Sequence, residues 1–370
     1  MLLTLPLELL DKIIDFIDDR QDILSLALAS HFFMERLIPS VLDYREIVAE
    51  CDDHRFWSRL SRNPLLARNI RTLTVDLLVD ECRLPRISSA ELSGSEDDEG
   101  SDASVLDALP RMTGLVRLDW HGDNDARIES TGMNPLFTSL YASCPNLITL
   151  SIYEAVDAES RGMGLADRNS QLSLLRNLEC FCYTLVPIGP RPVVPLAFLI
   201  PFLSGHPHLH YLHLDLNDIQ FSHYEALAEA HLPHLRTFKF CAYQFPSHIF
   251  QSFLSGNKTI EVLEISAYGS DRPIFQGLKE GSAPSLREVT CARGLWRSLC
   301  FAKPPLRHLT GLLGGEYGGN WADFQALEVV SETLESVTLS SRGLGATTPV
   351  SEVLDWFQSR LPRVEVDVWP

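Results

Sequence analysis

After about residue 70 the chain repeats itself. Strings of the form apolar-x-x-apolar-x-apolar return eleven times, starting at Ile70, Leu115, Leu147, Leu178, Leu209, Leu235, Ile260, Leu286, Leu306, Leu334 and Leu361. The starts lie mostly about 25 to 32 residues apart, the period of a structural repeat. Alternation within each string reads as a short strand. Between strings lie helix-like stretches such as 135–143, 224–231 and 350–360, several with a proline before the next string. One strand–helix unit cannot bury both faces of its own strand, so successive units must stack. The sequence therefore predicts an α/β solenoid over 70–370 with right-handed connections. Its parallel sheet would line the concave side and its helices the convex side.

Strand side chains alternate, so the fourth and sixth residues of each string point into the core. The third, fifth and seventh line the open face. In the fifth repeat this buries Leu212 and Leu214 and leaves Tyr211 and His213 on the sheet surface. The open strip mixes charged, hydroxyl and aromatic groups, as protein-binding surfaces do. Arg117, Tyr153, Tyr211, His213, Lys239 and Glu264 are its candidate target-binding residues.

The first 45 residues have a different pattern. Leu5-Pro6 and Glu8 open a segment in which Leu9, Ile13, Phe16 and Ile17 fall on one helical face. Pro6 suits the first helical position, and Glu8 meets the positive end of the helix dipole. Leu10 and Ile14 widen the apolar stripe beyond what one small helix needs for its own core. Asp22 is the expected N-cap of a second helix carrying Leu24 and Leu28, before Ser30-His31-Phe32-Phe33. About forty residues of short helices are too few for a stable core alone, so the surplus apolar surface should be buried elsewhere.

This ordered set resembles an F-box, the helical module that docks substrate receptors onto the Skp adaptor of cullin-based ubiquitin ligases. Phe33 stands where that family often has Trp, and His31 where it often has Lys or Arg. With the repeats, the chain resembles leucine-rich-repeat F-box proteins over nearly its full length. The resemblance implies an F-box at 1–45, a helical linker or N-terminal cap at 46–69 and a leucine-rich-repeat solenoid beyond. It further implies a Skp-family adaptor at Leu5, Pro6, Leu9, Ile13, Leu24 and Leu28, a cullin reached through it, and a protein target held by the solenoid. Such a chain is a substrate-recognition subunit without catalytic residues or cofactor. Two alternatives are a repeat scaffold with no ligase role and a receptor for a small molecule in a concave pocket.

Composition narrows the classes. A formal charge of −18 argues against nucleic acid or anionic membrane as a main partner. No apolar run approaches the roughly 18 residues of a spanning helix. No basic region precedes Met1-Leu2-Leu3, and Glu8, Asp11 and Lys12 break up the apolar stretch, which argues against a signal peptide. The eight cysteines form no Cys-x-x-Cys pair and read as reduced thiols of a cytoplasmic or nuclear chain.

Residues 87–104 are small and acidic, and are expected to be a disordered insertion. Ser95 there precedes an acidic run and resembles an acidophilic-kinase site. No nucleophile elbow, zinc-protease motif or phosphate loop occurs, since the glycine-rich run from Gly311 lacks the Lys-Ser/Thr pair. His206, His208, His210 and His213 do not converge on one side of their strand, so no metal site is expected. The sequon at Asn257 is read as chance, and Asn217 occupies the repeat's asparagine position.

Overall fold

The computed structural model describes residues 5–17, 19–76, 103–122, 134–157, 171–188, 193–195, 199–216, 220–222, 225–242, 245–267, 274–275, 277–312, 321–340 and 350–369. The chain forms two compact units, one of residues 1–154 with 174–178, the other of 155–173 with 179–370. The acidic insertion up to residue 102, Ser95, Asn217 and most of the glycine-rich run lie outside the described residues.

The first unit opens with α1 (Leu7–Asp15), α2 (Arg20–Leu28) and α3 (His31–Leu37). Pro6 is the residue just before α1, and its carbonyl accepts from the Leu9 and Leu10 amides. The cap of α2 is Asp19 rather than Asp22: Asp19 accepts from the Gln21 amide at 2.6 Å, and Asp22 sits in the first turn. Ser30 caps α3 by accepting from the Phe33 amide. These helices have their own core of Leu10, Ile14, Ile23, Ala27, Phe33, Leu37, Val41 and Leu42.

Four parallel strands come next in the same unit: β1 (Glu46–Glu50), β2 (Thr72–Asp76), β3 (Arg117–Gly122) and β4 (Thr149–Asp157). Strand β1 lies at the start of 46–69, the segment expected to be a helical linker or N-terminal cap. Helices His54–Arg62 and Pro64–Arg68 do lie there, but the sheet already begins at Glu46. Its register pairs Ile47 with Leu73 and Ala49 with Val75, so Tyr44-x-x-Ile47-x-Ala49 is a twelfth, degenerate string.

The second unit contributes eight more parallel strands. They are β5 (Cys180–Ile188), β7 (Tyr211–Leu216), β9 (Thr237–Ala242), β10 (Val262–Ala267), β11 (Glu288–Ala292), β12 (His308–Leu312), β13 (Ser336–Ser340) and β14 (Glu365–Trp369). Each pairs with the next. The short β6 (Val193–Pro195) and β8 (Gln220–Ser222) pair separately. Every main strand starts at the third residue of its string, apart from β14, which starts two residues later. Leu212, Leu214, Phe238 and Phe240 are buried, whereas His213 and Lys239 are half-buried on the opposite face. Helices Leu199–Gly205 and Ser247–Gly256 pack behind this sheet, placing Phe202 4.4 Å from Phe181 and Phe253 4.5 Å from Phe238 between ring centres. This is an α/β repeat fold of the leucine-rich kind, defined by its strand spacing and burial alternation.

Asparagine side chains tie neighbouring repeats together, and Asn257 does so from a buried position. Asn257 accepts from the Leu232 amide at 2.6 Å and donates to the Ala230 and Phe253 carbonyls. Its amide is therefore part of the turn between repeats and is not presented as a glycan acceptor. Asn146 and Asn177 each donate back to the preceding repeat, to Thr113 and Pro145.

Candidate binding surfaces

The N-terminal helices sort their apolar residues onto two faces. Leu10 and Ile14 of α1, with Ile23 and Ala27 of α2, fill the small core. Leu9, Ile13 and Phe16 of α1 point away from it, and so do Leu24 and Leu28 of α2. Phe16 is 87% exposed and Leu28 69%, and with Leu9, Ile13 and Leu24 they leave five large apolar side chains outside the core. Pro6 is exposed beside them, while Leu5 packs partly against the core. Five of the six expected adaptor-binding residues, all but Leu5, are thus exposed, and Leu5 has a structural share as well.

Two buried arginines fix this helical segment to the first repeats. Arg45 is fully buried, and its guanidinium donates to the Ile14 carbonyl at 2.6 Å, to Ile17 at 2.8 Å and to Asn69 at 3.4 Å. A cation at the C-terminal end of α1 satisfies carbonyls that the helix leaves unpaired. Arg71 donates to the carbonyls of Arg68, Gly114 and Asp15, and lies 3.8 Å from the Asp15 carboxylate. Gly114 is required there, because a methyl group would collide with the Arg71 guanidinium and the Arg68 carbonyl. Both arginines occupy the second position of their strings.

In the first unit the sheet face carries Arg117 and Tyr153. Arg117 is exposed and bonds Asp119 on its own strand at 2.7 Å. Tyr153 is half-buried with its ring centre 5.7 Å from that of His121, which stands 4.0 Å from Asp76.

In the second unit the face carries Tyr211, His213, Lys239 and Glu264, all half-buried. Register brings Cys182, His213, Lys239 and Glu264 into one row across β5, β7, β9 and β10. Lys239 and Glu264 are joined at 2.7 Å, so each already has a charged partner. That hydrogen bond from Lys239 to Glu264 holds the Lys239 ammonium above the ordinary lysine range. Burial pushes the Tyr211 hydroxyl up, Cys182 adds to the shift and Lys239 opposes it. Both side chains therefore keep their protons near neutral pH.

Of the remaining titratable groups, Cys144 and Cys300 have thiols pushed up to about 12 by burial, and Cys291 is raised further for the same reason. Such thiols behave as small core hydrophobes. His206 is buried with Nδ1 2.6 Å from the Phe202 carbonyl, His208 stacks on His234, and His210 lies 3.7 Å from Glu179. Among the described residues no three His, Cys, Asp or Glu stand together as metal ligands, and no helix is long and apolar enough to cross a membrane.

No family model and no curated protein matches the sequence. Among solved structures, the chain is similar to LegL7, a leucine-rich-repeat-containing protein of Legionella pneumophila, at 11% identity. That match covers 87% of this chain and 89% of LegL7, with a TM-score of 0.43.

Proposed function

We propose that the chain is a non-catalytic, protein-binding scaffold whose N-terminal helices act as an F-box. In this reading α1 and α2 dock a Skp-family adaptor, the adaptor brings a cullin, and the repeats hold a target protein for ubiquitination. The observation that carries the proposal is the surplus apolar face of Leu9, Ile13, Phe16, Leu24 and Leu28, left outside a core that is already complete without it. Burying such a face against a partner is worth about 1 kcal/mol per half-exposed side chain, or several kcal/mol together. The chain would supply proximity and no chemistry. The protonated, buried thiols of Cys144, Cys291 and Cys300 suit a reducing compartment such as cytoplasm or nucleus.

For the target surface, Tyr153 in the first unit and Tyr211 and His213 in the second have the better claim, since Arg117 already pairs with Asp119. Lys239 and Glu264 neutralise each other, and reversing both charges preserves their attraction. The test is co-purification from cells of wild type and of Leu9→Asp/Leu28→Asp. Loss of adaptor and cullin with retention of other bound proteins supports a substrate receptor. Retention of adaptor and cullin by that variant removes the adaptor role. A point variant is preferable to deleting residues 1–45, which would also remove the Arg45 clamp.

A further inference from the structure

The second residue of each string forms its own line along the rim where the strands begin. Its backbone is a continuous ladder: the Glu261 amide donates to Arg236, Arg287 to Glu261, Arg307 to Arg287 and Glu335 to Arg307. Its side chains in the second unit run Glu179, His210, Arg236, Glu261, Arg287, Arg307 and Glu335, and Arg363, the third residue of the last string, precedes β14 by two residues. Most of them pair within the line. His210 is 3.7 Å from Glu179, Arg236 bonds Glu261 at 3.1 Å, and Arg307 lies 3.6 Å from Glu335. Arg287 and Arg363 are left over, exposed and without an ion-pair or hydrogen-bond partner among the described residues.

Both line a groove of about 640 Å³ floored by Pro305 and the buried Leu334. Glu332 is the one carboxylate of that groove with no cation beside it among the described residues. In a chain of formal charge −18, a groove flanked by two unpaired guanidinium groups is a local site for anions.

We propose that this groove binds an acidic segment of a partner protein, with Arg287 and Arg363 each taking one anionic side chain. The site is separate from the sheet face and does not depend on the adaptor reading. Arg287 precedes β11 and Arg363 precedes β14, three strand steps away, which at the usual strand spacing is about 14 Å. An extended peptide rises about 3.3 Å per residue, so it would span the two with anionic groups roughly four residues apart. Guanidinium groups bind carboxylate and phosphate through the same fork of N–H donors, so acidic and phosphorylated segments share the chemistry.

The test measures fluorescence anisotropy of labelled peptides with the full-length chain. One peptide carries two glutamates four residues apart in a Gly/Ser background, a second two phosphoserines at that spacing, and a third two glutamines. Binding of the first or second with no binding of the third is expected, and which one binds identifies carboxylate or phosphate as the natural group. Arg287→Ala/Arg363→Ala should weaken binding about tenfold, and Lys at both positions should recover part of it. Glu332→Gln should tighten it. Both arginines are exposed, so an unchanged thermal melt is expected of each variant. Equal binding of the glutamine peptide, unchanged affinity of the double-alanine variant, or no binding of any peptide overturns the proposal.

Discussion

Replacing Arg45 by alanine should release the N-terminal helices from the first repeats. The guanidinium makes two short bonds to the end of α1 and a longer one to Asn69, from a fully buried position. Charge-assisted hydrogen bonds contribute roughly 1.5–3 kcal/mol each, which would give about 4.5–9 kcal/mol for the three. Removing the arginine also removes the cost of burying a charge, which offsets part of that loss. The stranded carbonyls act in the other direction, and the net expectation is a loss of about 3–4 kcal/mol. Hydrogen exchange across residues 7–37 localises the effect: the amides of α1 should lose protection while those of β7 and β9 keep theirs. Arg45→Met, which keeps the apolar stem but not the donors, should behave like alanine. If either variant exchanges as wild type does over α1, or costs under about 1 kcal/mol, the clamp is not what holds the segment.

Leu212→Ala should cost about 2–5 kcal/mol in chemical denaturation as a cavity in the sheet core, and His213→Ala little. Equal costs would contradict the strand alternation. Lys239 has a raised pKa when folded, so its pairing stabilises the chain fully below the ordinary value of 10.5 and loses that contribution as pH rises through the folded value. The stability difference between wild type and Glu264→Gln should therefore be flat from pH 6 to 9 and shrink above about pH 10.5. A difference that grows in strong alkali would show the sign to be wrong. Cys144, Cys291 and Cys300 should resist iodoacetamide at pH 8 in the native chain and react in denaturant, as peptide mapping would report.

The periodic strings made most of the sheet legible. Their third, fourth and fifth residues give strand starts and burial directly, as at Tyr211, Leu212 and His213. Strand β1 was hidden because Tyr44 and Ala49 replace the leucines, although Tyr44-Arg45 parallels Ile70-Arg71. The helices were legible as helices, but their two apolar faces were not separable. Periodicity shows that Leu9 and Leu10 are both apolar, and only the packing of α2 and α3 decides which one lies inside. The Lys239–Glu264 pair could have been found, since both are fifth residues of consecutive strings and such residues stand opposite each other. The second-position arginines could not be sorted from sequence. The same residue type is buried at Arg45 and Arg71, where the helical segment covers it, and exposed at Arg236, Arg287 and Arg307.

The adaptor reading is tested most directly by titrating a purified Skp-family adaptor into the purified full-length chain in a calorimeter, at several temperatures. One adaptor should bind per chain, with a negative heat-capacity change from burial of the Leu9, Ile13, Phe16, Leu24 and Leu28 face. Leu9→Asp/Leu28→Asp should abolish the heat while leaving the circular dichroism spectrum unchanged. Absence of binding by the wild-type chain, or equal binding by that variant, would contradict the assignment of α1 and α2 as an adaptor-docking module.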